Sequence, residues 1–184
     1  MLDSDEFIIQ QTTDWIRSFI IKLNICPFAK REMDKGSVKI QVISVKKIEQ
    51  ALEELMVELN LLDRHPEVET TLLVFPILFK DFFEYLDFVD LAEALMLDQD
   101  YEGIYQLASF HPDYCFADVD FNDVSNYTNR SPYPMLHLLR ENSVEKAINF
   151  YGNTEKIPEN NIATMHKLGI TKIKKLLENL HKPD

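Results

Sequence analysis

The sequence is poor in cysteine, in glycine and, over a long central stretch, in positive charge. Only Cys26 and Cys115 occur among 184 residues. Two cysteines do not make a disulfide framework. The first residues lack a secretory pattern, so a reducing, cytoplasmic setting is expected. Four glycines leave little room for flexible linkers, and no repeat or low-complexity tract breaks the chain. One domain over residues 1–184 is the expectation. No apolar run is long enough to span a bilayer: residues 16–25 carry Arg17, Lys22 and Asn24. No Gly-rich phosphate loop, dinucleotide fingerprint or paired Cys-x-x-Cys is present.

Positive charge is missing in a pattern. Against 31 acidic residues stand 19 basic ones, a formal net charge of −12. Such a chain is not a general nucleic-acid binder, because neutralising phosphates requires surplus Lys and Arg. Between Lys80 and Arg130 there is neither Lys nor Arg, while twelve acids fall from Asp81 to Asp123. This stretch reads either as a solvated acidic face or as a docking surface for a basic partner. Lys167, Lys172, Lys174 and Lys175, in the basic stretch running to His181, are candidates to pair with it, in cis or in a homo-oligomer.

The hydrophobic fraction of 46% supports a substantial core. Residues 5–23 read as an amphipathic helix on the spacing of Phe7, Ile8, Trp15, Phe19 and Leu23. The β-branched run 38–45 reads as a strand, and 48–62 as a helix with Leu52, Leu55, Leu59 and Leu62 on one face. The continuous apolar run 70–76 reads as a central strand covered on both sides. Residues 79–97 read as a helix, with Phe75, Phe79, Phe82, Phe83 and Phe88 as core packing, and 104–110 as a third strand. A further short antiparallel strand is read over 115–119. Ser131 resembles an N-cap with Pro132 at the first helical position, which predicts a helix to about Phe150. A last helix is read from 159 to 180, with Gly169 as a possible break. The fold class expected is α/β: a three- to four-stranded, mostly parallel sheet flanked by helices, with a helical C-terminal third.

Candidate chemistry collects after the third strand, where open parallel sheets bind ligands. His111 follows the strand end. A polar loop then leads through Asn126, Asn129, Arg130 and Ser131 to the expected helix start, whose amides favour an anion. Arg130 adds a planar fork of donors. On the expected helix, His137 and Arg140 share a face. The functional reading is a pocket for a small anionic metabolite, with His111 or His137 moving a proton and Asn126, Asn129, Arg130, Ser131 and Arg140 holding the ligand. The structural alternative is turn, cap and core chemistry from the same residues. Cys26, in Asn24-Ile25-Cys26-Pro27-Phe28-Ala29, is a candidate nucleophile. The turn resembles the active-site turn of some glutathione transferases over four residues, yet the residues before it read as helix where that fold needs a strand. His111 and Cys115 are spaced as metal ligands can be, and Cys26, His137 or Asp118 could complete a set, but no paired metal motif is present; the sequence leaves the cofactor open.

The blocks Leu23–Ala29, Thr70–Pro76, Gln106–Pro112 and, above all, Asn126-Tyr-Thr-Asn-Arg-Ser-Pro-Tyr-Pro-Met-Leu-His-Leu-Leu-Arg-Glu141 resemble a bacterial family known as domain of unknown function 1415. The blocks span most of the chain. The resemblance implies one whole domain and carries no activity, cofactor or catalytic residue with it. Cys115 is not typical of its pattern. Two function classes therefore stand: an enzyme or binder of a small anionic metabolite with its site in 109–141, and a non-enzymatic interaction protein using the acidic surface 81–129. A thiol or metal protein built on Cys26 is a third.

Overall fold

The three β-rich runs become three strands that point the same way, in a computed structural model that describes residues 4–152, 154–178 and 180. They are β1 (Val38–Val42), β2 (Thr70–Val74) and β3 (Tyr105–Phe110). A fourth, β4 (Met135–Arg140), runs against them and lies between β2 and β3, giving the order β1-β2-β4-β3. β1 pairs parallel with β2, whereas β4 pairs antiparallel with both neighbours. The sheet is therefore mixed rather than mostly parallel.

β4 corrects the expected helix from Ser131. Ser131 and Pro132 precede a strand, and the helix starts only at α5 (Glu141–Tyr151). The segment Met-Leu-His-Leu-Leu-Arg is leucine-rich and lacks polar alternation because this central strand is covered on both faces: Met135 and Leu136, successive and opposite, are both fully buried. Residues 115–119 form turns, not a strand.

Helices α3 (Ile48–Arg64) and α4 (Phe82–Asp98) cover one face of the sheet. Their core joins Leu55, Leu59, Phe88 and Ala92 to Leu73, Phe75, Leu136 and Leu138. Phe79 stacks on Phe88 at 4.2 Å, and Phe75 meets both rings edge-on. Phe83, expected in this cluster, points outward and is 75% exposed. Helix α1 (Asp5–Trp15) covers the other face, together with α6 (Ile157–Leu168) and α7 (Ile170–Glu178). The first helix continues as a π-helical segment, Ile16–Ile21, which widens the last turns and seats Phe19 and Ile20 in the core. Between it and β1 lies the short α2 (Ala29–Lys35). The expected C-terminal helix is two helices. Gly169, at φ +74°, breaks it where an L side chain would be strained. Residue 179, within that expected helix, and His181 lie outside the described residues. No helix among the described residues is long and apolar enough to cross a membrane.

Candidate functional site

The 111–134 segment is held by side chains that bond its own backbone. Asn126 is fully buried. Its Oδ1 accepts from the Phe116 N–H at 3.0 Å, and its Nδ2 donates to the carbonyls of Asp120 (2.9 Å) and Phe121 (3.2 Å). Asp123 caps the 3-10 helix Val124–Thr128 by accepting from the Ser125 N–H at 2.8 Å, and that bond holds its carboxyl below the usual range. Asn129 donates to the Ser109 carbonyl at 3.2 Å, and Ser131 Oγ to the Tyr133 carbonyl at 2.6 Å. Asn and Asp favour such local bonds because their short polar arms mimic the backbone.

Arg130 is the centre of this loop. Its guanidinium lies between the rings of Phe121 (4.7 Å) and Tyr127 (4.5 Å). Nε donates to the Tyr114 carbonyl at 3.0 Å and Nη2 to the Phe121 carbonyl at 2.8 Å. Among the described residues no carboxylate pairs with it. The residue is 8% exposed.

His111 leaves the end of β3 and turns under α4. Its Nε2 donates to the Phe79 carbonyl at 2.8 Å, while its Nδ1 accepts the Asp113 N–H at 3.0 Å. These two bonds fix one neutral tautomer. Burial pushes its pKa down, opposed by the Phe79 carbonyl and the charges of Asp113 and Asp81. The rings of Phe82 and Tyr85 lie 5.2 and 5.1 Å from it.

The remaining candidates lie elsewhere. His137 is on β4, not on a helix, so it and Arg140 face opposite sides of the sheet. His137 points to the α1 side, where Nε2 meets Thr70 Oγ1 at 2.7 Å. That hydroxyl gives its own proton to the Leu138 carbonyl, so Nε2 is the protonated nitrogen. Burial pushes the His137 pKa down to about 4. Arg140 sits at the far end of β4, opposite Tyr105. It donates to the carbonyls of Leu62 (2.6 Å), His65 (3.3 Å) and Val68 (3.0 Å) and closes the end of α3. Tyr105 accepts from it and donates to Asp63. Burial and that carboxylate push the tyrosine's pKa to about 12.

Cys26 packs against the α1-side core, on the sheet face opposite the His111 ring. Burial pushes its thiol up, opposed by the Phe28 and Ala29 amides. A raised pKa leaves little thiolate at neutral pH. Cys115 donates to the Val119 carbonyl at 3.3 Å. No group of three or more His, Cys, Asp and Glu able to hold a metal occurs among the described residues.

Two features escape a reading of the sequence. Lys39 of β1 and Glu58 of α3 form a 2.6 Å ion pair beneath α3. Glu58 is 3% exposed, and its second oxygen has no partner. Its one visible signal is a glutamate inside the apolar stripe Ala51, Leu55, Leu59, Leu62. The other is the joining of two acidic stretches. Phe82 of α4 packs on both His111 and Tyr114 (5.2 and 5.3 Å), which brings the start of the acidic helix against the acidic loop. Of the twelve acids from Asp81 to Asp123, all but Asp123 are exposed. Among the described residues only Asp123 of these twelve makes an ion pair, with His166 at 3.8 Å. Two open surface depressions lie along α3, and neither is lined by a residue of 109–141.

A family model described as a protein of unknown function, DUF1415, matches residues 7–175. No curated protein and no solved structure matches the chain.

Proposed function

We propose that this chain, which belongs to the DUF1415 family, works by binding a basic partner on the acidic surface built by α4 and the 111–123 loop. The observation that carries this reading is a set of exposed carboxylates that make no ion pair. Eleven exposed acids on α4, at its two ends and in the loop make no ion pair with a Lys or Arg among the described residues, and of the histidines only His111 feels two of them, Asp81 and Asp113. Like charges left together lower the stability of the free protein, and a cationic partner relieves that repulsion while being steered to the surface. The side chains best suited to catalysis are meanwhile engaged. His111 spends both ring nitrogens on backbone groups, and Asn126 spends its whole amide.

The test is binding of a labelled oligolysine, followed by fluorescence anisotropy. Wild type is expected to bind it with an affinity that falls steeply towards about 0.15 M salt, where exposed charges are screened over about 8 Å. A variant carrying Glu84→Gln, Asp87→Asn, Asp90→Asn and Glu93→Gln is expected to lose most of that binding. Neutralising Glu49, Glu53 and Glu54 on α3 is expected to change it little. Equal losses in the two variants would reduce the effect to net charge and remove the proposal.

A second reading rests on Arg130. Its buried guanidinium has no acidic partner among the described residues, and its Nη1 bonds none of them. A small anion at Nη1 would complete it.

A further inference from the structure

The outer face of α4 is not uniformly acidic. Tyr85, Phe88, Ala92 and Met96 point into the core. At helical spacing the opposite side presents Phe83, Asp87, Asp90, Leu91, Leu97 and Asp98, all exposed. Phe83 is 75% exposed, Leu91 48% and Leu97 59%. Three large apolar side chains thus stand exposed among carboxylates on the outer face of α4. A solvated acidic face gains nothing from a phenylalanine and two leucines in water. An interface does, because apolar anchors supply affinity while surrounding charges supply orientation and steering.

We propose that a basic amphipathic helix docks along this face. Its apolar side chains meet Phe83, Leu91 and Leu97, and its lysines or arginines meet Asp87, Asp90 and Asp98. This rests on the acidic-surface reading above and names the shape of the partner. Charge complementarity fixes the sign. Geometry fixes the secondary structure. Phe83 and Leu97 lie fourteen residues apart, about 21 Å along the axis and close to one line, with Asp87 and Asp90 between them along the helix and Leu91 on its flank. The outer side of α4 offers no free backbone groups to pair with an extended peptide. A partner whose own backbone is internally bonded packs there without leaving N–H and C=O groups buried and unpaired.

The experiment uses two labelled peptides of about 18 residues, with identical Lys, Leu and Ala composition. One places leucine at helical period, and the other is scrambled to break it. Both are titrated against wild type and against Phe83→Ala/Leu91→Ala/Leu97→Ala, whose far-ultraviolet circular dichroism and unfolding midpoint confirm the fold. Wild type is expected to bind the periodic peptide about tenfold or more tightly than the scrambled one, with a gain in helical signal. The triple variant is expected to bind both alike, at the scrambled level. Equal, salt-sensitive binding of both peptides to wild type overturns the helix while leaving the acidic-surface reading in place. Binding of neither overturns both. Self-association of wild type alone, abolished in the triple variant, overturns the proposal by giving the face to a second copy.

Discussion

His111 and Phe79 are joined by a 2.8 Å hydrogen bond that ties the end of β3 to the turn before α4. Phe79 holds the left-handed backbone at φ +62°, an uncommon conformation for a bulky residue. The imidazole fixes the carbonyl of that turn while its other nitrogen accepts the Asp113 N–H. His111→Ala is expected to leave the buried Phe79 carbonyl unpaired, to free the more exposed Asp113 N–H to water, and to destabilise the fold by about 1–3 kcal/mol. Urea unfolding monitored by Trp15 fluorescence reads this directly. A loss under about 0.5 kcal/mol, as at an ordinary surface position, would show that the bond is not holding the turn.

The half-buried imidazole of His137 sets a pH dependence. His137 has a folded-state pKa of about 4, against an ordinary value of about 6.5. As the pH falls, the unfolded chain takes up the proton first. The stabilisation from keeping His137 neutral is therefore complete above about pH 6.5 and is lost between about pH 6.5 and 4. The gap amounts to at most about 3 kcal/mol. His137→Gln, which keeps a donor for Thr70, is expected to flatten that part of the stability profile. His111, also shifted down, supplies a slope of the same sign that remains. Unfolding free energies at several pH values across the window decide it, and an unchanged profile in the variant would count against the assignment.

These imidazoles show what the sequence could and could not reveal. Strands at 70–76 and 104–110 were legible because apolar and β-branched runs end at Pro76 and begin after Gly103. β4 was not, because Ser131-Pro132 imitates a helix start and the residues after it are leucines. Its strand form is imposed by the gap between β2 and β3, a long-range effect that local propensity does not carry. The polar loop was legible as a concentration of Asn, Asp and Arg. The partners of Arg130 were not, since Phe121 and Tyr127 are two aromatics among nineteen Phe and Tyr residues, and only the folded loop places both on one guanidinium.

The Lys39–Glu58 pair yields a sign test. A buried ion pair costs desolvation that its attraction only roughly offsets, and removing one partner strands the other charge. Lys39→Met alone is expected to destabilise by about 3–5 kcal/mol, whereas Lys39→Met/Glu58→Leu is expected to recover most of that loss. Thr71, opposite Lys39 across the strand pair, buries a hydroxyl without a partner. Thr71→Val is expected to be neutral or to stabilise by about 1 kcal/mol. Chemical denaturation of the four proteins tests both. Additive losses in the double variant would mean that the two side chains act independently.

Arg130 decides between the anion reading and a purely internal clasp. The guanidinium spends Nε and Nη2 on carbonyls and is stacked between two rings. A buried cation without a counter-charge is costly, so an anion reaching Nη1 would stabilise the folded state. Thermal unfolding in the presence of phosphate, sulfate, small carboxylates and sugar phosphates measures this. An anion at a hundred times its Kd would add about 2.7 kcal/mol, raising the Tm by roughly 5–10 °C for a chain of this size. Arg130→Lys keeps the charge but loses the planar fork and the stacking. It is expected to lower the Tm and to abolish any anion response. Should no anion raise the Tm of wild type while the variant is merely less stable, Arg130 serves only to fasten Tyr114 to Phe121.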